Sequence, residues 1–367
     1  MSTALALRSF NWVSPPGQTI KDLMLMKNIS HESLVQNTGL DSETLIKIYS
    51  GHIELDKGKI DILSSLLNVS SSFLINRQEE YLKSKNEIID TETKKWVSTL
   101  PVNEMKKYNW ITDTKDSTNE CLKFFNIKDV FEWKQLSNQL LSGTNFKKSS
   151  AFESKSNNII TWIRQGELEA SKIGNNNSFR KKEFEENLTE FKKITRIKRP
   201  IDFLPELSKC CSEFGVKLVI LPTPKKCSIS GLARVTNDGS AIIQLSFRYL
   251  SDDHFWFTFF HEAAHLIMHS DTKLHIDTDH KEINQIEQEA NSYASSILIP
   301  YDLEKELPRI KRNARSILEF SAQCNISPGI LVGQLQKREL ISYSYLNNIK
   351  KRYSWDDIQL GINKIII

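Results

Sequence analysis

The segment FTFFHEAAHLIMH, residues 257–269, places two histidines and a glutamate inside an apolar, helix-like run. On an α-helix, positions i and i+4 lie on one face about 6 Å apart, so His261 and His265 can direct imidazole nitrogens at one ion. Glu262 projects beside them, where a carboxylate can take a proton from an activated water and pass it to a leaving amine. The spacing therefore predicts a zinc site that could hydrolyse a peptide bond.

The motif has a second interpretation, in which a buried pair of hydrogen-bonded histidines only stabilises a core helix. The surrounding residues favour the metal. Three polar side chains in a hydrophobic helix would cost several kcal/mol if they were buried without a metal or polar partners. The prediction then requires a third protein ligand, because catalytic zinc sites usually have three and leave the fourth position for water.

The third ligand is expected from the segment EINQIEQEANSYASSILIP. His269 lies about 12 Å along the helix axis from His261, which is too far for one ion. Glu289 lies about 200° around its helix from Glu287 and is expected to face solvent. Small alanines would allow a close approach to another helix, with Glu287 as the ligand and Asn291 as its hydrogen-bond partner. The residues that share this face are Glu287, Ala290, Asn291 and Ala294.

Some assignments stay open at the level of the sequence. Weaker sources of a third ligand are His254, His275 and His280. The group that stabilises the tetrahedral oxyanion is also open, because zinc itself could serve. The side-chain candidates for that role are Tyr249, His254, His269 and Tyr293.

Short β-like runs precede the histidine motif and would have to position it. From Gly215 onward the runs VKLVIL, SGLARV and AIIQLS alternate with turn residues, which predicts a small sheet followed by helices. In this α+β arrangement a sheet edge can hold an extended peptide beside a metal-bearing helix. Beyond Pro300 the chain is predicted to return to helices, with a break at Pro328-Gly329.

The N-terminal part has a different pattern, which predicts five short helices between Thr19 and Phe73. Within it, ISHESLVQNTGLDSETLIKIYSG has the spacing of a helix-turn-helix, with Gly39 in the tight turn. The polar residues expected to cap the five helices are Thr19, Ser30, Asp41, Asp56 and Ser70.

The charge of this part counts against DNA binding, because residues 18–76 hold five lysines and seven acidic residues, a balance of −2. Phosphate neutralisation supplies most of the affinity of a DNA-binding surface. The module could read an operator, or it could be a protein-docking surface or a weak dimerising DNA reader. The basic segment FRKKEFEENLTEFKKITRIKRP could add charge, although the spacing of Phe184, Leu188 and Phe191 predicts an amphipathic helix with a solvated face.

Composition excludes other classes of protein. The chain has 39% hydrophobic and 26% charged residues and a net charge of +4, which is typical of a globular protein rather than a strongly basic one. No run approaches the roughly 20 apolar residues of a membrane span, and no signal peptide is evident, so we expect a cytoplasmic protein. The five cysteines include no Cys-x-x-Cys pair and are expected to be reduced structural thiols, with a regulatory role for Cys227 as the alternative.

Residues 17–78 resemble the Cro/repressor-like XRE helix-turn-helix family, particularly its antitoxin-type modules, through the segment from GQTIKDLMLM to SSFLINRQ. In this family the second helix of the motif enters the major groove. The resemblance implies that Ser42, Glu43, Thr44 and Lys47 lie nearest the bases.

LSFRYLSDDHFWFTFFHEAAHLIMH followed by EQEANSYASSILIP resembles the ImmA/IrrE family of zinc metallopeptidases. With WIRQGELEA, SGLARV and GILVGQLQKREL, the likeness covers residues 95–345 and extends to family members fused to an XRE domain. It implies a thermolysin-like gluzincin core with one Zn²⁺ bound by His261, His265 and Glu287, and with Glu262 as catalytic acid and base. Ala263-Ala264 and Ser295-Ser296 depart from the usual residues and remove no ligand.

The combined prediction is a mostly helical α+β protein. Its function would be that of a cytoplasmic zinc endopeptidase that cleaves a repressor-like or other regulatory protein and so controls transcription, a stress response or a mobile-element or toxin–antitoxin locus. The alternative is a repressor or antitoxin whose zinc domain senses a signal without proteolysis, and a third is a scaffold without metal. A homodimer is expected from the XRE likeness. The predicted regions are an arm (1–17), an XRE-type domain (18–86), a helical middle region (87–199), the peptidase core (200–300) and C-terminal helices (301–367).

Overall fold

The computed structural model describes residues 14–141, 150–174, 177–269, 275–278 and 285–365. The chain divides into two compact units, one ending at Trp96 and the other beginning at Val97. Both units contain helices, and the second also contains a small mixed sheet, so the prediction of a mostly helical α+β protein is confirmed. Within the described part of the chain, no helix has the length and apolar character needed to span a membrane.

The first unit is built from helices whose apolar faces meet in one core. Ile20, Leu34, Leu45 and Leu63 come from four different helices and are fully buried there. The last helix is long and runs through the expected boundary between residues 86 and 87. These helices are α1 (Pro16–Met26), α2 (His31–Thr38), α3 (Ser42–Tyr49), α4 (Lys57–Leu66) and α5 (Ser71–Val97).

Polar caps fix where four of these helices begin. The side chains of Ser30, Asp41, Asp56 and Ser70 each accept a hydrogen bond from the backbone N–H three residues later, at 2.7–3.1 Å, as predicted. The prediction for Thr19 was wrong, because α1 already begins at Pro16 and Thr19 lies inside it. Proline has no N–H to satisfy and suits the first helical position, so this helix needs no side-chain cap there.

The middle region is helical, as predicted. The amphipathic face of the basic segment is buried, since Phe184, Leu188 and Phe191 are at most 3% exposed in the core of the second unit. Its charged residues form exposed ion pairs along the helix, including Arg180 with Glu183, which fits a solvated face. The helices are α6 (Val102–Lys107), α7 (Thr118–Phe125), α8 (Val130–Leu141), α9 (Ser150–Lys172) and α10 (Lys181–Phe191), the last followed by a 3₁₀ turn at Lys192–Arg196.

The sheet of the second unit contains the three predicted strands and one more. After helix α11 (Pro200–Glu213) come β1 (Val216–Ile220), β2 (Ile229–Val235) and β3 (Ala241–Leu245), and β4 (His275–Thr278) joins later. The spatial order is β1-β3-β2-β4. Strand β1 is parallel to β3, whereas β2 is antiparallel to both β3 and β4.

Each face of the sheet packs against a different helix. On one face, Val219 and Ile242 join a cluster with Trp162 of α9. On the other, Leu218 and Ile243 pack with the aromatic residues of helix α12 (Asp252–Met268). Alternate strand residues point to opposite faces, so burial of both faces explains why these strands are mostly apolar.

The remaining helices complete the second unit, as the sequence beyond Pro300 predicts. The break at Pro328-Gly329 is the start of a helix. The elements are α13 (Gln285–Leu298), α14 (Tyr301–Glu304), α15 (Ala314–Gln323), α16 (Pro328–Lys337) and α17 (Trp355–Ile365), with 3₁₀ turns at Leu307–Arg309 and Asn347–Ile349.

Buried carboxylates hold the N-terminus of α12. Asp253 forms an ion pair of 2.6 Å with Lys350, and both side chains are less than 10% exposed. Asp252 accepts hydrogen bonds from the Ser327 hydroxyl at 2.6 Å and from the Lys351 backbone N–H at 3.0 Å. The start of the helix that carries the histidine motif is therefore tied to α16 and to the chain before α17.

The cysteines form no disulfide. Four of the five are buried, and Cys210 is partly exposed. Burial raises the pKa of the Cys227 thiol to about 11, which keeps it protonated and unreactive at neutral pH. This burial favours the structural interpretation of Cys227 over the regulatory one.

Candidate metal centre

The two histidines of the motif lie on the buried face of α12. His261 and His265 are each 3% exposed, and their Nε2 atoms are 3.1 Å apart. The residues around them are apolar, since Phe260, Ala263 and Ala264 are fully buried. Packing of this helix against the sheet fixes the backbone, and the i, i+4 spacing then brings both nitrogens to the same point.

Glu287 reaches the histidines from α13. Ala290 and Ala294 are fully buried on the same face of that helix, which lets it approach α12 closely. The Glu287 carboxylate lies 3.2 Å from Nε2 of His261 and 3.4 Å from Nε2 of His265. The predicted ligand set therefore meets at one place in the structure.

The donor atoms fit a zinc ion. All three lie within 4.8 Å of one another. The two Nε2 atoms are 3.1 Å apart, Oε2 of Glu287 is 3.2 Å from that of His261, and Oε1 of Glu287 is 3.4 Å from that of His265. Bonds of about 2.0–2.1 Å in a tetrahedral arrangement place neighbouring ligand atoms about 3.4 Å apart. Two imidazoles and one carboxylate are also ligand types that zinc accepts.

The pKa shifts favour the charge states that metal ligands need. Burial raises the pKa of Glu287, but the hydrogen bonds from His261 and His265 outweigh it and leave the pKa well below its usual value. Burial lowers the pKa of His265 despite the opposing effect of Glu287. An ionised carboxylate beside a neutral imidazole is the combination that binds a metal without first losing protons.

Glu262 is buried between α12 and the sheet. Its side chain is 1% exposed and lies against the backbone of β2 at Gly231. Glu262 directly follows the ligand candidate His261 in α12 and is not one of the three residues whose donor atoms meet. The sequence predicted Glu262 from its spacing but gave no indication of this contact with β2.

Other predicted residues are placed less decisively. Asn291 is half-buried and makes no side-chain hydrogen bond to another described residue, so its role as partner of a ligand stays a prediction. His269 does not join the ligand group, as expected. Instead its Nε2 lies 3.1 Å from Glu289, whose side chain is 39% exposed rather than fully solvated. The sequence missed this pair because it links two helices.

The structure separates the alternative ligands and oxyanion candidates. Tyr249 packs against His254 with ring centroids 4.2 Å apart and ring planes tilted by 33°, near the start of α12. The Tyr293 hydroxyl donates to Glu185 at 3.2 Å. His275 lies in β4, and His280 is outside the described residues. None of these contacts selects an oxyanion-stabilising group.

The four residues proposed to face DNA lie on α3 in the first unit. Ser42, Glu43 and Lys47 are exposed, and Thr44 is half-buried. Lys47 forms an ion pair of 2.6 Å with Glu43, which offsets its charge. Ser42 is hydrogen-bonded to His31, and Thr44 to the capping residue Asp41. Their contact with DNA stays a prediction.

Comparison with protein families identifies one segment. Residues 211–332 match the family model Peptidase_M78, described as an IrrE N-terminal-like domain. The match supports a peptidase. It covers the four strands, α12 and α13, and therefore all three ligand candidates and Glu262. A comparison with curated proteins finds no match for the chain. The matched segment agrees with the ImmA/IrrE part of the sequence prediction and does not extend to the first unit.

Proposed function

We propose that the second unit is a zinc-dependent endopeptidase that holds one Zn²⁺ per chain. His261, His265 and Glu287 bind the ion, and Glu262 acts as general base and then as general acid. The observation that carries the proposal is the convergence of the three donor atoms beside Glu262 within a segment that matches a peptidase family. The thermolysin-like gluzincin arrangement belongs to the same proposal.

The residues divide the chemistry between them. When bound, zinc supplies Lewis acidity toward the peptide carbonyl and the attacking water. Glu262 takes a proton from that water and delivers it to the nitrogen of the leaving amine. The ionised Glu287 contributes a negative charge to the ligand group, and burial favours the neutral form of His265. The buried position of the helix excludes bulk water from one side of the site.

The substrate would bind as an extended chain along the sheet. Strand β4 stands at the end of the strand order in the described sheet and pairs with β2, which contacts Glu262. An extended peptide could add to this edge through backbone hydrogen bonds. This mode requires an unfolded or flexible region in the protein substrate and favours cleavage within a chain.

The first unit would bring the peptidase to its substrate, which we propose is a repressor-like or other regulatory protein. An XRE-type module could bind DNA near a DNA-bound regulator, or bind the regulator itself. Proteolysis of that regulator would then change transcription. The Lys47–Glu43 pair and the balance of −2 over residues 18–76 favour docking on a protein, whereas the exposed face of α3 is compatible with the major groove.

The test compares new protein N-termini in cells that produce the wild-type chain or Glu262→Gln at equal levels, with zinc content measured on both purified proteins. We expect a fragment that appears only with the wild type, while both proteins retain zinc. Identical N-termini, together with altered transcription in both strains, would instead support a zinc-containing sensor without proteolysis. Absence of zinc from both proteins would favour the scaffold interpretation.

A further inference from the structure

Strand β2 is irregular where it passes α12. Ile229 pairs with Thr278 of β4, but Leu232 pairs with Ile276, so three steps along β2 correspond to two along β4. One extra residue in β2 is a β-bulge. Ile229 and Leu232 consequently both pack in the cluster on the α9 side of the sheet. In a regular strand, residues three apart would point to opposite faces.

The bulge turns Gly231 toward α12. A Cβ atom at this position would lie 2.5 Å from Oε1 and 2.6 Å from Cγ of Glu262, and 2.7 Å from Cγ2 of Thr258. Distances this short do not occur for real Cβ atoms. The φ angle of Gly231 is not positive, so the backbone conformation does not require glycine here. Glycine is required because the neighbouring side chains leave no space for a Cβ atom.

We propose that Gly231 is a positioning residue for Glu262, and that the bulge sets how close the carboxylate comes to β2. Both ends of the contact are restrained. Gly231 stands opposite Leu245 in the paired strands β2 and β3, and α12 is buried along the face that carries Glu262. A methyl group at residue 231 would therefore have to displace the side chains of Glu262 and Thr258 rather than the strand or the helix.

The catalytic consequence rests on the proposed peptidase function. Misplacement of a reacting group by about 1 Å can cost about 100-fold in rate. We expect the ligands to be retained, because the three atoms nearest to the new methyl group belong to Glu262 and Thr258 and not to His261, His265 or Glu287. Gly231→Ala should therefore slow proton transfer by Glu262 without reducing zinc binding.

The first measurement is a thermal-unfolding cycle on the full chain, which needs no substrate. The variants are Gly231→Ala, Glu262→Ala and the double variant. We expect Gly231→Ala to lower Tm by at least about 3 °C more when Glu262 is present than when it is alanine. Gly174→Ala is the matched control, because nothing lies within 4 Å of a Cβ there, and its shift should be the same in both backgrounds.

Equal losses of Tm in the two backgrounds would overturn the proposal, since Thr258 or the strand itself would then determine the need for glycine. If Gly231→Ala alone does not fold, recovery of a folded double variant supports the proposal, and failure of both contradicts it. These outcomes do not depend on whether the protein cleaves anything, so they are distinguishable from failure of the peptidase proposal.

The second measurement uses zinc content and the Glu262-dependent fragment from the cell comparison. Gly231→Ala should retain one zinc per chain and produce that fragment about 100-fold more slowly than the wild type. Gly174→Ala should cleave at the wild-type rate. Wild-type cleavage by Gly231→Ala, or loss of its zinc, would overturn the positioning role.

Discussion

The candidate metal centre depends on Glu287, because this residue is the only one of the three predicted ligands that comes from a second helix. The Glu287 carboxylate lies within 3.2–3.4 Å of both imidazoles. Two histidines on one helix could be brought together by local structure, but they would provide only two of three ligands. Without Glu287 the site would lose both a donor atom and its negative charge.

Substitutions at Glu287 and at its neighbour Glu289 should have different effects on zinc affinity. In Glu287→Gln the shape is kept while the charge is lost, so we expect zinc affinity to fall by at least about 100-fold. Removal of a group that only orients a ligand already costs 10–100-fold. Competition with a chelator measures the change. Glu289→Gln is the control, since Glu289 contacts His269 and should keep near wild-type affinity; equal losses in both variants would contradict the assignment.

At the scale of elements, the position of α12 depends on the pair between Asp253 and Lys350. Removal of one partner from a buried ion pair leaves an uncompensated charge and typically costs 3–5 kcal/mol. We therefore expect Lys350→Met to lower the free energy of unfolding by about 3–5 kcal/mol, measured by denaturant unfolding. Lys193→Met, which breaks an exposed pair with Glu190, should cost less than about 1 kcal/mol. Similar losses in the two variants would show that α12 is held by other contacts.

The same pair predicts how stability depends on pH. Burial raises the pKa of Asp253, but the hydrogen bond from Lys350 and further favourable contacts lower it below its usual value overall. A carboxylate with a depressed folded pKa stabilises the fold above its unfolded pKa of about 3.9 and loses that contribution as the pH falls through the folded value. In wild type this contribution is present at neutral pH.

Lys350→Met should therefore destabilise the protein most at neutral pH and less at acidic pH. The difference in Tm between wild type and Lys350→Met is expected to be larger at pH 7 than at pH 4, where protonation relieves the unpaired Asp253. Burial raises the pKa of Asp252, which has the opposite dependence on pH, but Asp252 is present in both proteins and largely cancels. A difference independent of pH would contradict an ionic role.

At the scale of the whole molecule, two compact units carry different chemistry. The second holds the candidate centre, while the first offers the exposed face of α3. The net charge of +4 on the full chain is too small to predict whether the first unit binds DNA. Helix α3 carries two exposed residues of opposite charge, Lys47 and Glu43. Substituting each of them separately tests whether the first unit binds DNA.

Opposite substitutions on α3 should have opposite effects if the proposed DNA contact exists. Lys47→Ala removes a phosphate partner and should weaken binding to promoter DNA by about 3–10-fold, with a smaller dependence on salt. Glu43→Gln removes a nearby negative charge and releases Lys47, so it should strengthen binding. Fluorescence anisotropy of the full chain on a labelled duplex at two salt concentrations measures both. Absence of binding, or equal effects of the two changes, would favour protein docking.

The sequence by itself determined the features that depend on neighbouring residues. His261 and His265 share a face because the helix repeat is fixed, and the caps at Ser30, Asp41, Asp56 and Ser70 act over three residues. Alternation of apolar and turn residues likewise located β1, β2 and β3. The prediction that Thr19 caps a helix was wrong, although capping is also a local feature, because a proline at the first helical position can begin a helix without a polar cap.

The tertiary structure alone decided the contacts between distant segments. Glu287 was expected from the sequence, but its 3.2–3.4 Å distances exist only because α12 and α13 pack through small alanines. The pairing of β2 with β4, the bulge at Gly231 and the ion pair of Asp253 with Lys350 have no periodic signature. Such contacts depend on how complete elements fill space, and one residue pattern permits many arrangements until the whole core is packed.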